Sequence, residues 1–265
     1  MEWSPWDVHG EVIAAALLVG ALYLLAVGPL RRRHGWAGPV APQRRLAFLG
    51  GLAVVLGALN GPLHALADHY LFSAHMVQHL LLTLAAPPLL LAGTPGWLLR
   101  PLLRGPGVAR VVRALTRPLA ASALYNVVLV AWHLPLFYDW ALRDHGVHVL
   151  QHLMLMATAL VLWWPVLSPL PELPRLPLPG QMLYLFLAGV PMVLVAALIT
   201  LSDEPLFAFY AEAPRLWGLT PLADQRAGGV IMWVPGSLVF LVAITIVFFR
   251  WVRAEAEREE AHGIP

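Results

Sequence analysis

A chain of 265 residues with 59% hydrophobic and only 12% charged residues, at a mean hydropathy of +0.71, is excluded from the soluble globular class. Its formal net charge is only +2, no lysine occurs, and all 17 basic residues are arginine, so no nucleic-acid partner is expected. The absence of cysteine removes disulfides, thiolate metal sites and iron–sulfur clusters together.

A bilayer core of about 30 Å takes roughly 20 apolar residues per helix. Seven segments meet that need, at 11–30, 45–64, 75–98, 118–136, 147–168, 181–201 and 228–250. The expectation is an all-α polytopic membrane protein, residues 1–265 forming a single helical domain in the lipid bilayer. The first segment has its flanking positive charge after the apolar stretch, as in a retained helix rather than a signal peptide.

Arginine sets the orientation. Arg31, Arg32, Arg33, Arg44 and Arg45 follow the first segment, and Arg100, Arg104, Arg110, Arg113 and Arg117 follow the third. Arg175 follows the fifth, and Arg250, Arg253 and Arg258 follow the seventh. By the positive-inside rule these loops are cytoplasmic, which puts the N-terminus outside and the C-terminus in the cytoplasm. The opposite side holds most of the acids, among them Asp68, Asp139, Asp144, Asp203, Glu204 and Asp224. Tryptophans such as Trp132, Trp163, Trp233 and Trp251 fall near the two expected interfaces.

With that topology, His9, His64, His69, His75, His79, His133, His145, His148 and His152 share the outer side. Four of them belong to a repeated H-x-x-Q-H-L-x-L motif, His75 to Leu82 and His148 to Leu155. Residues four apart share a helix face, so each copy presents two imidazoles together, with Gln78 or Gln151 beside them. Histidine at a helix end also serves as an ordinary interfacial or interhelical polar group. A one-sided cluster within apolar segments instead points to a functional cavity.

The repetition extends outward. His64 and His133 close the preceding segments, and each copy reads as histidine, acidic turn, then His-x-x-x-His. Two such hairpins of the same sense predict a parallel repeat whose sites meet near one surface. Neutral imidazole suits copper, zinc and iron, and Gln78 and Gln151 are placed to orient the rings. Met76 and Met232 lie nearby, where thioethers serve either as Cu(I) ligands or as packing.

No H-E-x-x-H, G-x-S-x-G or Walker-type loop occurs, and no nucleophile and base are arrayed around Ser202-Asp203 or Asp224-Gln225, so the chain does not read as an enzyme. Proline interrupts several segments, and Pro87-Pro88 is the expected break. The stretch from Pro169 to Gly180 reads as a stiff extended connector, and Arg253 to Glu260 as a charged continuation of the last helix.

Several blocks resemble the CtaG family of cytochrome c oxidase assembly factors, which are bacterial multi-pass membrane proteins. They are His75-Met76-Val77-Gln78-His79 with Ala86-Pro87-Pro88-Leu89-Leu90, and Trp132-His133 with Tyr138-Asp139. His148-x-x-x-His152 with Trp163-Trp164-Pro165-Val166 follows, then Trp217-Gly218, Asp224-Gln225, Gly228-Gly229 and Ile231-Met232-Trp233. The resemblance spans the second segment to the seventh. It implies a place in the bacterial cell membrane, a role in building a haem–copper terminal oxidase through copper delivery, and oxidase subunits or other assembly factors as partners. On that basis Cu(I) is expected at His75, His79, His148 and His152, with His64 and His133 as auxiliary ligands and Gln78, Gln151 and Met76 around them. Two other readings fit paired helical histidines: a b-type haem protein with bis-histidine ligation, or a metal-ion transporter. For the transporter, Thr83 and Thr158 are the mid-depth polar groups of the third and fifth segments.

Overall fold

The computed structural model describes residue 6 and residues 8–262. The chain is all-helical, and no strand occurs among the described residues. In chain order the α-helices of five or more residues are α1 (Gly10–His34), α2 (Pro42–Ala58), α3 (Pro62–His69), α4 (Phe72–Gly93), α5 (Pro106–Leu115) and α6 (Pro118–Trp132). They are followed by α7 (Pro135–Arg143), α8 (His145–Leu167), α9 (Leu178–Leu201), α10 (Ala208–Glu212) and α11 (Pro221–His262). Five of these, α1, α4, α8, α9 and α11, are long and apolar enough to cross a membrane alone. The bent pairs α2/α3 and α5/α6 raise the number to as many as seven if each pair is one span.

Local chemistry explains the boundaries. Proline lies in the first turn of α2, α3, α6 and α7, where its missing N–H costs nothing and its fixed φ suits a helix. The segment expected at 45–64 is two helices meeting at 48°, because Gly61 adopts φ +74 between them. His64 therefore lies inside α3 rather than at the end of a long helix. The segment expected at 75–98 starts earlier, at Phe72, and stops at Gly93 before Pro95. The segment expected at 118–136 ends at Trp132, just ahead of Leu134-Pro135. The last helix runs well past both ends of 228–250, and its charged C-terminal extension is helical as expected.

Pro87-Pro88 does not break α4. A π-helical stretch at Leu81–Ala85 precedes the pair and takes up the irregularity. Proline at 87 cannot donate to the carbonyl four residues back, that of Thr83, and Trp163 Nε1 of α8 donates to it instead at 3.1 Å. A second π-helical stretch, Ala26–Leu30, carries α1 through Pro29.

The main core lies among α4, α6, α8, α9 and α11 and includes Met76, Tyr125, Leu155, Trp163, Leu185, Met192 and Phe240, all buried. The most extensive helix pairing is α9 with α11, and α4 packs on α2 and α11. Helix α1 is peripheral. Tyr23 stacks on Phe48 at 3.8 Å and donates to the carbonyl of Gly93 at 2.8 Å, while Asn60 Oδ1 accepts the His9 amide at 2.9 Å. The arginine-rich connections meet at the Gly93 end, where Arg100 pairs with Glu172 at 2.8 Å. The residues after Leu167 run without helix to Leu178, as the proline-rich connector predicts.

Two aspartates tie the histidine end together. Asp224 accepts the amide of Phe72 at 2.7 Å, that of Ser73 at 3.2 Å and the Ser73 hydroxyl at 2.5 Å, so a carboxylate from α11 caps α4. Asp139 of α7 likewise accepts the amides of Ala208 and Phe209, each at 3.1 Å, at the start of α10. The neighbour of the first, Gln225, accepts from the Leu206 amide at 2.6 Å and donates to the Ile199 carbonyl at 3.2 Å. Asp224-Gln225 is thus a structural staple. Asp203 is exposed, 3.7 Å from Arg226.

Candidate metal centre

The two repeated motifs meet. His75 and His79 on α4 face His148 and His152 on α8, and His133, at the C-terminal cap of α6, joins them. All five rings are buried. Ring centroids lie 5.3 Å apart for His75 and His148, 5.5 Å for His79 and His152, and 5.7 Å for His79 and His133. One ligating nitrogen each from His75, His148 and His152 falls within 4.8 Å of the others.

Hydrogen bonds select the tautomers. The Tyr210 hydroxyl donates to the Ala67 carbonyl at 2.5 Å, so at its 2.8 Å contact with His75 Nδ1 it must accept. Burial pushes the Tyr210 phenol well above its ordinary range, so its proton stays on. His75 therefore carries its proton on Nδ1 and its lone pair on Nε2. At His133, Nδ1 donates to the Leu129 carbonyl at 2.7 Å, and Nε2 is buried without a partner. At His148, Nδ1 faces Asp68 Oδ2 at 3.3 Å, and Nε2 is again buried without a partner. Three imidazoles are thus anchored at Nδ1 by a phenol, a carbonyl and a carboxylate, each leaving a lone pair on Nε2.

His79 completes the arrangement. Its Nε2 lies 2.8 Å from His75 Nε2, and since the latter is the acceptor, His79 donates and keeps its lone pair on Nδ1, which has no partner. His152 Nε2 is also buried without a partner. Buried polar atoms are rarely left unpaired. The unpaired nitrogens are concentrated in one cluster, which offers lone pairs to a metal ion or to a hydrogen-bond donor.

His64 and His133, expected in equivalent places, are not equivalent. Gln78 Nε2 donates to the Ala58 carbonyl and to His64 Nδ1, both at 2.8 Å, and His64 Nε2 lies 2.7 Å from His9 Nε2. His9 Nδ1 in turn lies 2.8 Å from Glu11 Oε1. His64 therefore belongs to an outer chain running Gln78, His64, His9, Glu11, whereas His133 belongs to the inner cluster. The two hairpins differ because Pro62 starts its short helix before His64, while Pro135 starts its own after His133. Gln78 orients His64 rather than a ring of its own motif. Gln151 is fully buried with neither amide atom hydrogen-bonded.

A cavity of about 200 Å³ between α1, α3 and α8 is lined by His9, Glu11, His64, Asp68, His148 and His152, two of them rings of the cluster. The sequence pointed to Asp68 only as part of an acidic turn and did not single out Tyr210 at all. Tyr210 sits on a short helix far in sequence from either motif, and nothing in its sequence neighbourhood separates it from Tyr70.

Fold and site together define a helical protein of membrane-spanning composition with a buried histidine centre at one end. A family model described as cytochrome c oxidase caa3 assembly factor matches residues 21–254, and the chain belongs to that family. Among its relatives are uncharacterized proteins of Mycobacterium bovis and Mycobacterium tuberculosis, each 28% identical over 281 residues, and one of Mycobacterium leprae, 25% identical over 283 residues. Each alignment covers 98% of this chain but only 42% of the relative, so the chain spans less than half the length of those proteins. No solved structure matches.

Proposed function

We propose that this protein serves assembly of a haem–copper oxidase by holding a copper ion at the cluster of His75, His79, His133, His148 and His152 and passing it on. The observation that carries this reading is the anchoring of Nδ1 in three of the rings, which presents neutral imidazole lone pairs inward before any ion arrives. Neutral imidazole is the form a metal needs, and pre-set tautomers reduce the reorganisation on binding. The assembly role of the family supplies the recipient.

In this reading the chain crosses the bacterial membrane seven times, each bent pair counting as one span. The histidine end faces outward and the arginine-rich connections face the cytoplasm. The ion arrives through the cavity between α1, α3 and α8, where Asp68 and Glu11 favour a cation. It leaves by ligand exchange, each copper–imidazole bond breaking as a bond to a ligand of the oxidase forms, with no change of oxidation state. Conduction across the membrane has less support, because Thr83 and Thr158 donate their hydroxyls to the carbonyls of His79 and Met154 in their own helices.

The test is genetic and analytical. Cells lacking the protein should produce an oxidase deficient in copper, restored by the wild-type chain and not by His148→Ala. Full oxidase copper content in the deletion strain would overturn the proposal.

A further inference from the structure

Beside the imidazole cluster lies a small cavity of about 20 Å³. Its lining includes Met76 of α4, Met192 of α9 and Met232 of α11, together with His79 and His133. All three methionines are buried, and they come from three different helices. A space of this size holds one water or one ion.

The packing around it favours an ion site over filler. On α11, Gly228, Met232 and Gly236 are spaced four apart and share one face. A Cβ at Gly236 would lie 2.7 Å from Met192 Cε and 3.2 Å from its sulfur, and one at Gly228 would lie 3.2 Å from Met76 Cγ. Gly236 therefore admits Met192 against the α11 backbone, while Gly228 admits first the Phe72 ring, whose carbons would lie 2.3 and 2.6 Å from such a Cβ, and then Met76. Methionine used only to fill space closes a gap, yet here three flexible side chains converge and a void remains between them.

The two histidines supply an independent observation. His79 Nδ1 and His133 Nε2 are the lone-pair nitrogens that the tautomer argument leaves without partners, and both residues line this cavity. His75, His148 and His152 form the separate group whose nitrogens approach one another.

We propose that the cavity is a second copper position, a soft site in which thioethers of Met76, Met192 and Met232 with imidazoles of His79 and His133 hold Cu(I). This rests on the copper reading above and refines it. The all-histidine position offers nitrogen alone, which accepts several divalent metals, whereas thioether sulfur selects Cu(I) over zinc and Cu(II). An ion shifted from that position to the cavity is thereby sorted by metal and oxidation state, and His79, shared between the two clusters, is the hinge of the transfer.

X-ray absorption at the copper edge tests this on the full-length protein in detergent, loaded with Cu(I) under reducing conditions. The wild-type protein should show a sulfur shell beside the nitrogen shell. In the triple variant Met76→Leu, Met192→Leu and Met232→Leu, a near volume-conserving change, the sulfur shell should vanish while nitrogen-bound copper remains. Wild-type copper bound by nitrogen alone, or a sulfur shell that survives in the triple variant, would overturn the soft site and leave the copper reading standing. A wild-type protein that binds no copper would overturn both.

Discussion

Tyr210 and His75 are joined by a hydrogen bond of 2.8 Å whose direction is fixed, because the phenol spends its only proton on the carbonyl of Ala67. A residue on a short helix thereby decides which nitrogen of a histidine on α4 is available. Replacing Tyr210 by Phe removes the acceptor, frees His75 to change tautomer and leaves its ring less constrained. Loss of a partner behind a metal ligand lowers affinity by roughly 10–100-fold. Competition titration with a Cu(I) chelator should show that drop in Tyr210→Phe, and an unchanged affinity would remove the tautomer argument at His75.

Asp224 and the start of α4 form the second relationship of consequence. The carboxylate takes three hydrogen bonds from Phe72 and Ser73, one turn before His75. A lost cap costs about 0.5–2 kcal/mol, and buried donors left unpaired add about 1–3 kcal/mol. Asp224→Ala should lower the thermal midpoint in detergent and reduce copper retention as well, since the frayed turn carries His75. A variant as stable as wild type would show that α4 starts without this cap.

Trp163 donates to the carbonyl that Pro87 leaves unpaired. Trp163→Phe keeps an aromatic ring but orphans the Thr83 carbonyl, and about 1–3 kcal/mol of stability should be lost. Pairing it with Pro87→Ala, which restores the helical donor, should recover part of that loss. Additive effects of the two changes would contradict the proposed exchange of donors.

Much of this was legible in the sequence, and the gaps have physical causes. The seven apolar segments all fall on helical stretches, although 45–64 spans two helices, because membrane-spanning helices leave a strong compositional trace. The convergence of His75, His79, His148 and His152 followed from the repeated motif together with the topology that the arginines set. Helix boundaries at Gly61 and Phe72 were misplaced, because one depends on a single positive φ and the other on a carboxylate 152 residues away. The intact helix at Pro87-Pro88 depends on a π-helical stretch and a tryptophan from another helix, neither of which the local pattern reveals. Tyr210 was missed for the same reason: its role comes from long-range packing, not from any motif around it. His64 fell outside the inner cluster because one proline shifted its helix start relative to its apparent counterpart.

Copper retention should depend on pH in the direction imidazole dictates. Metal binding requires neutral rings, so protons compete with the ion as pH falls. Retained copper measured after equilibration at about pH 7.5, about 6 and about 5 should decline across that series. Retention unchanged at the lowest of these would indicate a site held by carboxylates or thioethers alone.

Metal analysis of purified protein decides whether the imidazole cluster holds copper. Wild-type protein should carry copper, and the variant with His75, His79, His133, His148 and His152 all replaced by Ala should lose it while remaining helical by circular dichroism. An absorbance spectrum of the same samples should lack a Soret band, which would otherwise signal haem. Equal copper stoichiometry in the two folded proteins would contradict the account.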